Sequence, residues 1–135
     1  MKSIFMVALM AVAVLLMVPS CATVSTKPIA PGEVRLLGIN IRETGDILRN
    51  LQYPADISFE ADGRPEIKRA CFSWSGEGPY CLKVRDVNYG SGTIKVDFRS
   101  PNSPGDYTLE SYVLYIRDER TRSTNVVRTQ IWIIN

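Results

Sequence analysis

The chain has 135 residues, with 16 Lys and Arg against 14 Asp and Glu, for a formal net charge of +2. So slight an excess gives no electrostatic footprint for a nucleic-acid partner. No histidine occurs anywhere, which excludes Ser-His and Cys-His nucleophile pairs, histidine general bases and the commonest zinc and copper ligand. Carboxylate, Ser-Lys and tyrosine chemistry stay open.

The chain opens MKSIFMVALMAVAVLLMVPSC. Lys2 supplies a positive start, Ile4 to Val18 an unbroken apolar run, and Ser20 a small residue before Cys21. This is the layout of a helical secretory signal peptide. The run falls short of the about 20 apolar residues that a spanning helix needs. Val18-Pro19-Ser20-Cys21 resembles the lipobox of bacterial lipoproteins. The resemblance implies cleavage before Cys21, a diacylglyceryl thioether on its sulfur and an acyl group on the new amino terminus. Ala22 follows the cysteine, which resembles the pattern sorted to the outer membrane in enterobacteria. Two or three acyl chains, at about 0.8 kcal/mol per buried CH₂, make an essentially permanent anchor. The expected organisation is a signal peptide over residues 1–20, a lipidated Cys21 with a linker over 21–32, and one domain over 33–135, on the outer membrane and facing the periplasm.

The linker reads ATVSTKPIAPG after Cys21 and is broken by Pro28 and Pro31. Its eleven residues reach at most roughly 36 Å. The rest is long enough for a single domain with its own core.

Val34, Leu36, Leu37 and Ile39 mark a first strand over Glu33 to Asn40. Residues 42–52 are ambiguous. Ile47, Leu48 and Leu51 have helical spacing and Thr44 to Asp46 can start a helical turn, but the same residues suit a short edge strand. Ile57, Phe59 and Ala61 then alternate with polar residues, and Asp62-Gly63-Arg64-Pro65 reads as a turn.

Ala70, Phe72 and Trp74 share one face of the next strand, with Arg69, Cys71 and Ser73 on the other. After a glycine-rich turn the chain returns through Cys81, Leu82, Lys83 and Val84. Pairing the two strands about Gly76 sets Cys71 opposite Cys81 and Ala70 opposite Leu82. Both cysteines then point away from the core. If Cys21 carries lipid, these two remain as an even pair outside the cytosol, which reads as a disulfide.

Val87 to Ser91 is a loop or strand end. Thr93 to Arg99 is the plainest strand, with Ile94, Val96 and Phe98 on one face. A turn with two prolines follows over Ser100 to Gly105, then a long strand from Asp106 to Ile116. Its imperfect alternation predicts a bulge near Glu110-Ser111. Arg117 to Ser123 is a charged hairpin connection. Val127, Thr129, Ile131 and Ile133 form the inward face of a last strand, with Arg128, Gln130 and Trp132 outside.

About seven or eight short strands with turns every 8–12 residues predict an all-β, antiparallel β-sandwich. A small barrel is the rival. From Tyr53 onward the chain resembles an immunoglobulin-like or fibronectin type III domain. Gly105-Asp106-Tyr107 before a long strand resembles a tyrosine corner, and Trp74 stands where a core tryptophan belongs. The cysteines depart from that family's disulfide between sheets.

No catalytic constellation, metal site or cofactor motif stands out. Asp56, Glu60 and Asp62 lack the spacing of a calcium loop, and Ser73 and Ser75 approach only Lys68 and Lys83 in sequence. The run from Arg117 to Arg122 reads as a solvated turn, with an anionic lipid or peptidoglycan surface as the alternative. Trp74, Tyr80 and Tyr89 are the candidate ligand-contacting aromatics, as core and turn packing or as a sugar platform. The leading expectation is a non-catalytic binding or structural module with a protein partner in the envelope. The alternatives are a carbohydrate-binding module and a small carboxylate hydrolase.

Overall fold

The computed structural model describes residues 27–42, 46–75 and 77–135. The signal peptide, Cys21, most of the linker up to residue 26, and Gly76 lie outside the described residues. The described chain holds ten strands and no helix: β1 (Val34–Ile41), β2 (Ile47–Leu48), β3 (Gln52–Ala61), β4 (Ile67–Trp74), β5 (Glu77–Lys83), β6 (Asp86–Asn88), β7 (Thr93–Arg99), β8 (Gly105–Arg117), β9 (Arg120–Ser123) and β10 (Val127–Ile134).

The strands form two sheets in a sandwich-like arrangement rather than one closed barrel. One has the order β1-β3-β7-β6, the other β2-β10-β8-β4-β5, with β9 also paired to β8. All pairings are antiparallel except β2 with β10. Period-2 patterning explains the layering, because each strand turns its apolar set toward the other sheet. Ala55, Ile57 and Phe59 of β3, with Ile94, Val96 and Phe98 of β7, meet Ala70, Phe72 and Trp74 of β4, with Leu109 and Val113 of β8. Val127, Ile131 and Ile133 of β10 complete the buried cluster.

The described residues of 42–52 hold no buried helical face. Among the described residues of this segment only Ile47 is buried; Leu48 and Leu51 are exposed. Ile47 and Leu48 form an edge strand beside Ile133 and Ile134, while Thr44 lies outside the described residues.

The bulge expected near Glu110-Ser111 is not there. The ladders from β8 to β4 and to β10 both run through these residues without a shift. Leu109, Ser111, Val113 and Tyr115 all point inward and are buried. The pattern looks irregular in sequence because a serine occupies a core position and Tyr112, Leu114 and Ile116 occupy outward ones. The irregularity of this ladder lies instead in β4, between Ile67 and Arg69.

Arg117 to Ser123 is more than a connection. Asp118 and Glu119 have φ of 51° and 60°, the signature of a two-residue type I′ turn. The chain folds straight back as β9, which pairs Leu114 to Arg117 where β10 has stopped.

Gly92 closes the turn between β6 and β7. Its φ is +68°, and its carbonyl accepts a hydrogen bond from Phe59 N–H at 2.9 Å. A Cβ at this position would stand 2.6 Å from the Phe59 carbonyl oxygen, so only glycine fits.

The sandwich has two distinct ends. Residues 27–33 meet it where β3 finishes, with Gly32 N–H bonded to Asp62 at 2.9 Å. The opposite end holds the start of β3, the β4–β5 turn and the β7–β8 loop. The ten residues of β3 separate these ends by about 30 Å.

Candidate functional site

At the end remote from residues 27–33 lies an open cleft of ≈ 670 Å³, lined by residues that include Asn50, Trp74, Glu77, Tyr80, Arg99 and Tyr107. Arg99 ends β7, Trp74 ends β4 and Glu77 begins β5, so three strand ends and two turns converge on it.

Arg99 is held through its backbone and through one edge of its guanidinium. Its carbonyl accepts hydrogen bonds from Trp74 Nε1 at 3.1 Å and Tyr80 Oη at 3.2 Å. Its N–H donates to Tyr80 Oη at 3.3 Å. Its guanidinium donates through Nε and Nη2 to Asn50 Oδ1 at 3.0 and 2.8 Å. Asn50 sits in the left-handed region with φ of 56°, which asparagine tolerates better than most residues. Its N–H donates to Pro101 O at 2.9 Å.

The buried Ser100 ties the same loops together. Its hydroxyl donates to Leu48 O at 2.6 Å and accepts from Leu51 N–H at 2.9 Å. Its own N–H donates to Leu51 O at 2.9 Å. Tyr107 Oη donates to Ser103 O at 2.9 Å, which pins the β7–β8 loop to the start of β8. The cleft wall is therefore held in one arrangement by hydrogen bonds, a condition for precise ligand contact.

Of the three candidate aromatics, two belong here. Trp74 is only 6% exposed and packs on Phe98 and edge-on against Tyr107. Tyr80 is half-buried beside Phe72. Tyr89 is in neither place: it follows β6 in the other sheet, packs edge-on against Phe59 and donates its hydroxyl to Pro65 O. Burial raises the Tyr89 pKa against the opposing pull of Arg64, with Glu66 adding to the rise. The three rings thus share no flat strip of the kind that stacks on sugar.

The cysteines meet as the strand register requires. Cys71 and Cys81 form a disulfide, with Ala70 opposite Leu82. Cys71 is fully buried, on the face turned away from the intersheet core, where its neighbours across the strands are Cys81 and Tyr112.

The other candidates are used locally. Asp56 faces Arg42 at 3.2 Å and Glu60 pairs with Arg35 at 3.0 Å, while Asp62 accepts the Gly32 bond described above. Ser73 donates to Glu77 O at 2.8 Å, Ser75 accepts from Thr108 N–H at 3.1 Å, and Lys68 pairs with Glu66 at 2.9 Å. Among the described residues, no three His, Cys, Asp or Glu side chains gather at one place.

Sequence reasoning missed Arg99, Asn50 and Ser100. Arg99 reads as the outward residue ending a strand, and its partner Asn50 lies 49 residues away. The one local signal was an asparagine before a strand, in a position that suits a left-handed turn. Compared with known family models and with curated proteins, the chain matches none.

Proposed function

We propose that the protein is a lipid-anchored, non-catalytic binding module of the cell envelope, built on an immunoglobulin-like sandwich. The strand order supports the fold reading. The path β1-β3-β7-β6 matches an A-B-E-D sheet, and β10-β8-β4-β5 matches G-F-C-C′. The short β2, parallel to β10, takes the place of a strand that crosses from one sheet edge to the other. The bond from Tyr107 to Ser103 has the form of a tyrosine corner, and Trp74 on β4 packs in the core. The disulfide joins β4 to β5 instead of joining the sheets.

The observation that carries the functional reading is the placement of the cleft. It opens about 30 Å along β3 from the segment that leads back to Cys21. An anchor at Cys21, on the outer membrane and facing the periplasm, turns the cleft away from the lipid and toward an envelope partner. The leader supplies the address: a positive start, an apolar run and a lipobox-like end.

Labelled palmitate fed to cells that express the wild type or Cys21→Ala tests the anchor. The wild type incorporates label and the variant does not. Equal labelling of the two overturns the proposal.

A further inference from the structure

We infer that the cleft takes a small zwitterionic ligand of the amino-acid or short-peptide class, with a carboxylate on Arg99 and an ammonium group on Glu77. The inference rests on the binding-module reading and names its ligand.

Arg35, Arg42, Arg85 and Arg128 each face a carboxylate, on Glu60, Asp56, Asp97 and Glu110. Arg49, Arg64, Arg69, Arg117, Arg120 and Arg122, like Arg99, make no ion pair among the described residues. Arg99 differs from these in having its guanidinium clamped by a side-chain amide, through the oxygen of Asn50. A neutral oxygen orients the guanidinium without cancelling its charge. Among the described residues, Arg99 Nη1 makes no hydrogen bond and Arg99 no ion pair. A guanidinium has five donors in a fixed fork, and Asn50 uses the Nε side, so the other edge is presented in a set direction. That edge suits a carboxylate, which accepts two parallel bonds.

Glu77 lines the same cleft and has no ion-pair partner among the described residues. One uncompensated cation and one uncompensated anion in a single cleft select a ligand that carries both signs. An oxyanion such as phosphate gains from Arg99 and loses to Glu77. The cleft volume of ≈ 670 Å³ falls within the usual range for small-molecule sites. The rings of Tyr80 and Tyr107 offer apolar edges to the carbon skeleton between the two charges.

The test is calorimetric titration of the whole chain, purified as the cell produces it, with triglycine, N-acetyl-triglycine, triglycine amide and inorganic phosphate. Triglycine is expected to bind in the millimolar range, and each capped form at least about tenfold more weakly. Arg99→Gln is expected to abolish triglycine binding. Glu77→Gln is expected to remove the preference over N-acetyl-triglycine. Thermal unfolding of each variant separates loss of ligand from loss of fold, and both side chains are exposed enough that the fold should persist. Absence of triglycine binding at about 10 mM overturns the inference. So does unchanged triglycine binding in folded Arg99→Gln. Equal or tighter binding of phosphate also overturns it, yet leaves a binding module with a different ligand, and neither outcome bears on palmitate incorporation at Cys21.

Discussion

Asn125 holds the backbone of Leu36 through both ends of its side-chain amide. Oδ1 accepts from Leu36 N–H at 2.8 Å, and Nδ2 donates to Leu36 O at 2.9 Å. The contact joins the kink between β9 and β10 to β1, across 89 residues. It falls where β1 changes register against β3, between Leu36 and Gly38. The amide imitates a neighbouring strand at an edge that has none.

Asn125→Ala leaves one donor and one acceptor of Leu36 without a protein partner. The group is partly buried, so the expected loss is about 1–3 kcal/mol. Urea unfolding measures it. Asn125→Asp should lose nearly as much, because a carboxylate cannot donate to the Leu36 carbonyl. Midpoints equal to the wild type in both variants would show that the bridge contributes nothing.

Ser111 makes the opposite case. It is fully buried on the inner face of β8, and its hydroxyl has no hydrogen-bond partner among the described residues. Burying an unsatisfied hydroxyl costs about 1–3 kcal/mol by mutational scales. Ser111→Ala removes that cost and leaves only a small void. The variant should unfold at the same or higher urea concentration than the wild type, where most core substitutions lower it. A loss above about 1 kcal/mol would mean that the hydroxyl has a partner in solution.

The Cys71–Cys81 bridge spans ten positions and ties the edge strand β5 to β4. Closing so short a loop contributes about 2–3 kcal/mol in the chain-entropy model. Replacing both cysteines by alanine should lower stability by that amount. The wild-type protein, purified without reductant, should weigh two hydrogens less than its reduced form at these positions. Two free thiols there would remove the staple.

Tyr89 gives the fold an alkaline limit. Its pKa lies above the ordinary tyrosine value, chiefly through burial. Above the unfolded pKa, near 10, the unfolded chain therefore holds fewer protons than the folded one. Stability is full below that pH and falls as pH rises through the folded pKa. Tyr89→Phe should flatten this slope while losing the bond to Pro65. A slope as steep in the variant as in the wild type would place its origin in the other tyrosines.

Sequence pattern alone located the strands whose alternation is clean. Thr93 to Arg99 agrees residue for residue, and the pairing of Cys71 with Cys81 followed from two apolar faces and one turn. It located poorly whatever depends on distant partners. The two residues of β2 become a strand only because Ile133 and Ile134 lie beside them. Ser111 reads as a break in alternation because nothing local marks a serine as inward. Arg99 and Asn50 reach each other only after β3 and β7 pair, which sets Gln52 opposite Arg99. Of the cleft, the rings were visible as residue types, whereas the charges that give it chemistry were not.

The close approach of Gly92 to Phe59 makes this turn a point of no mutational drift. Every substitution of Gly92 adds at least a Cβ, and that atom collides with the very peptide whose N–H the turn carbonyl captures. The hydrogen bond that closes the turn onto β3 would then be lost. Among diverged descendants of this chain, this one glycine is the letter to look for first.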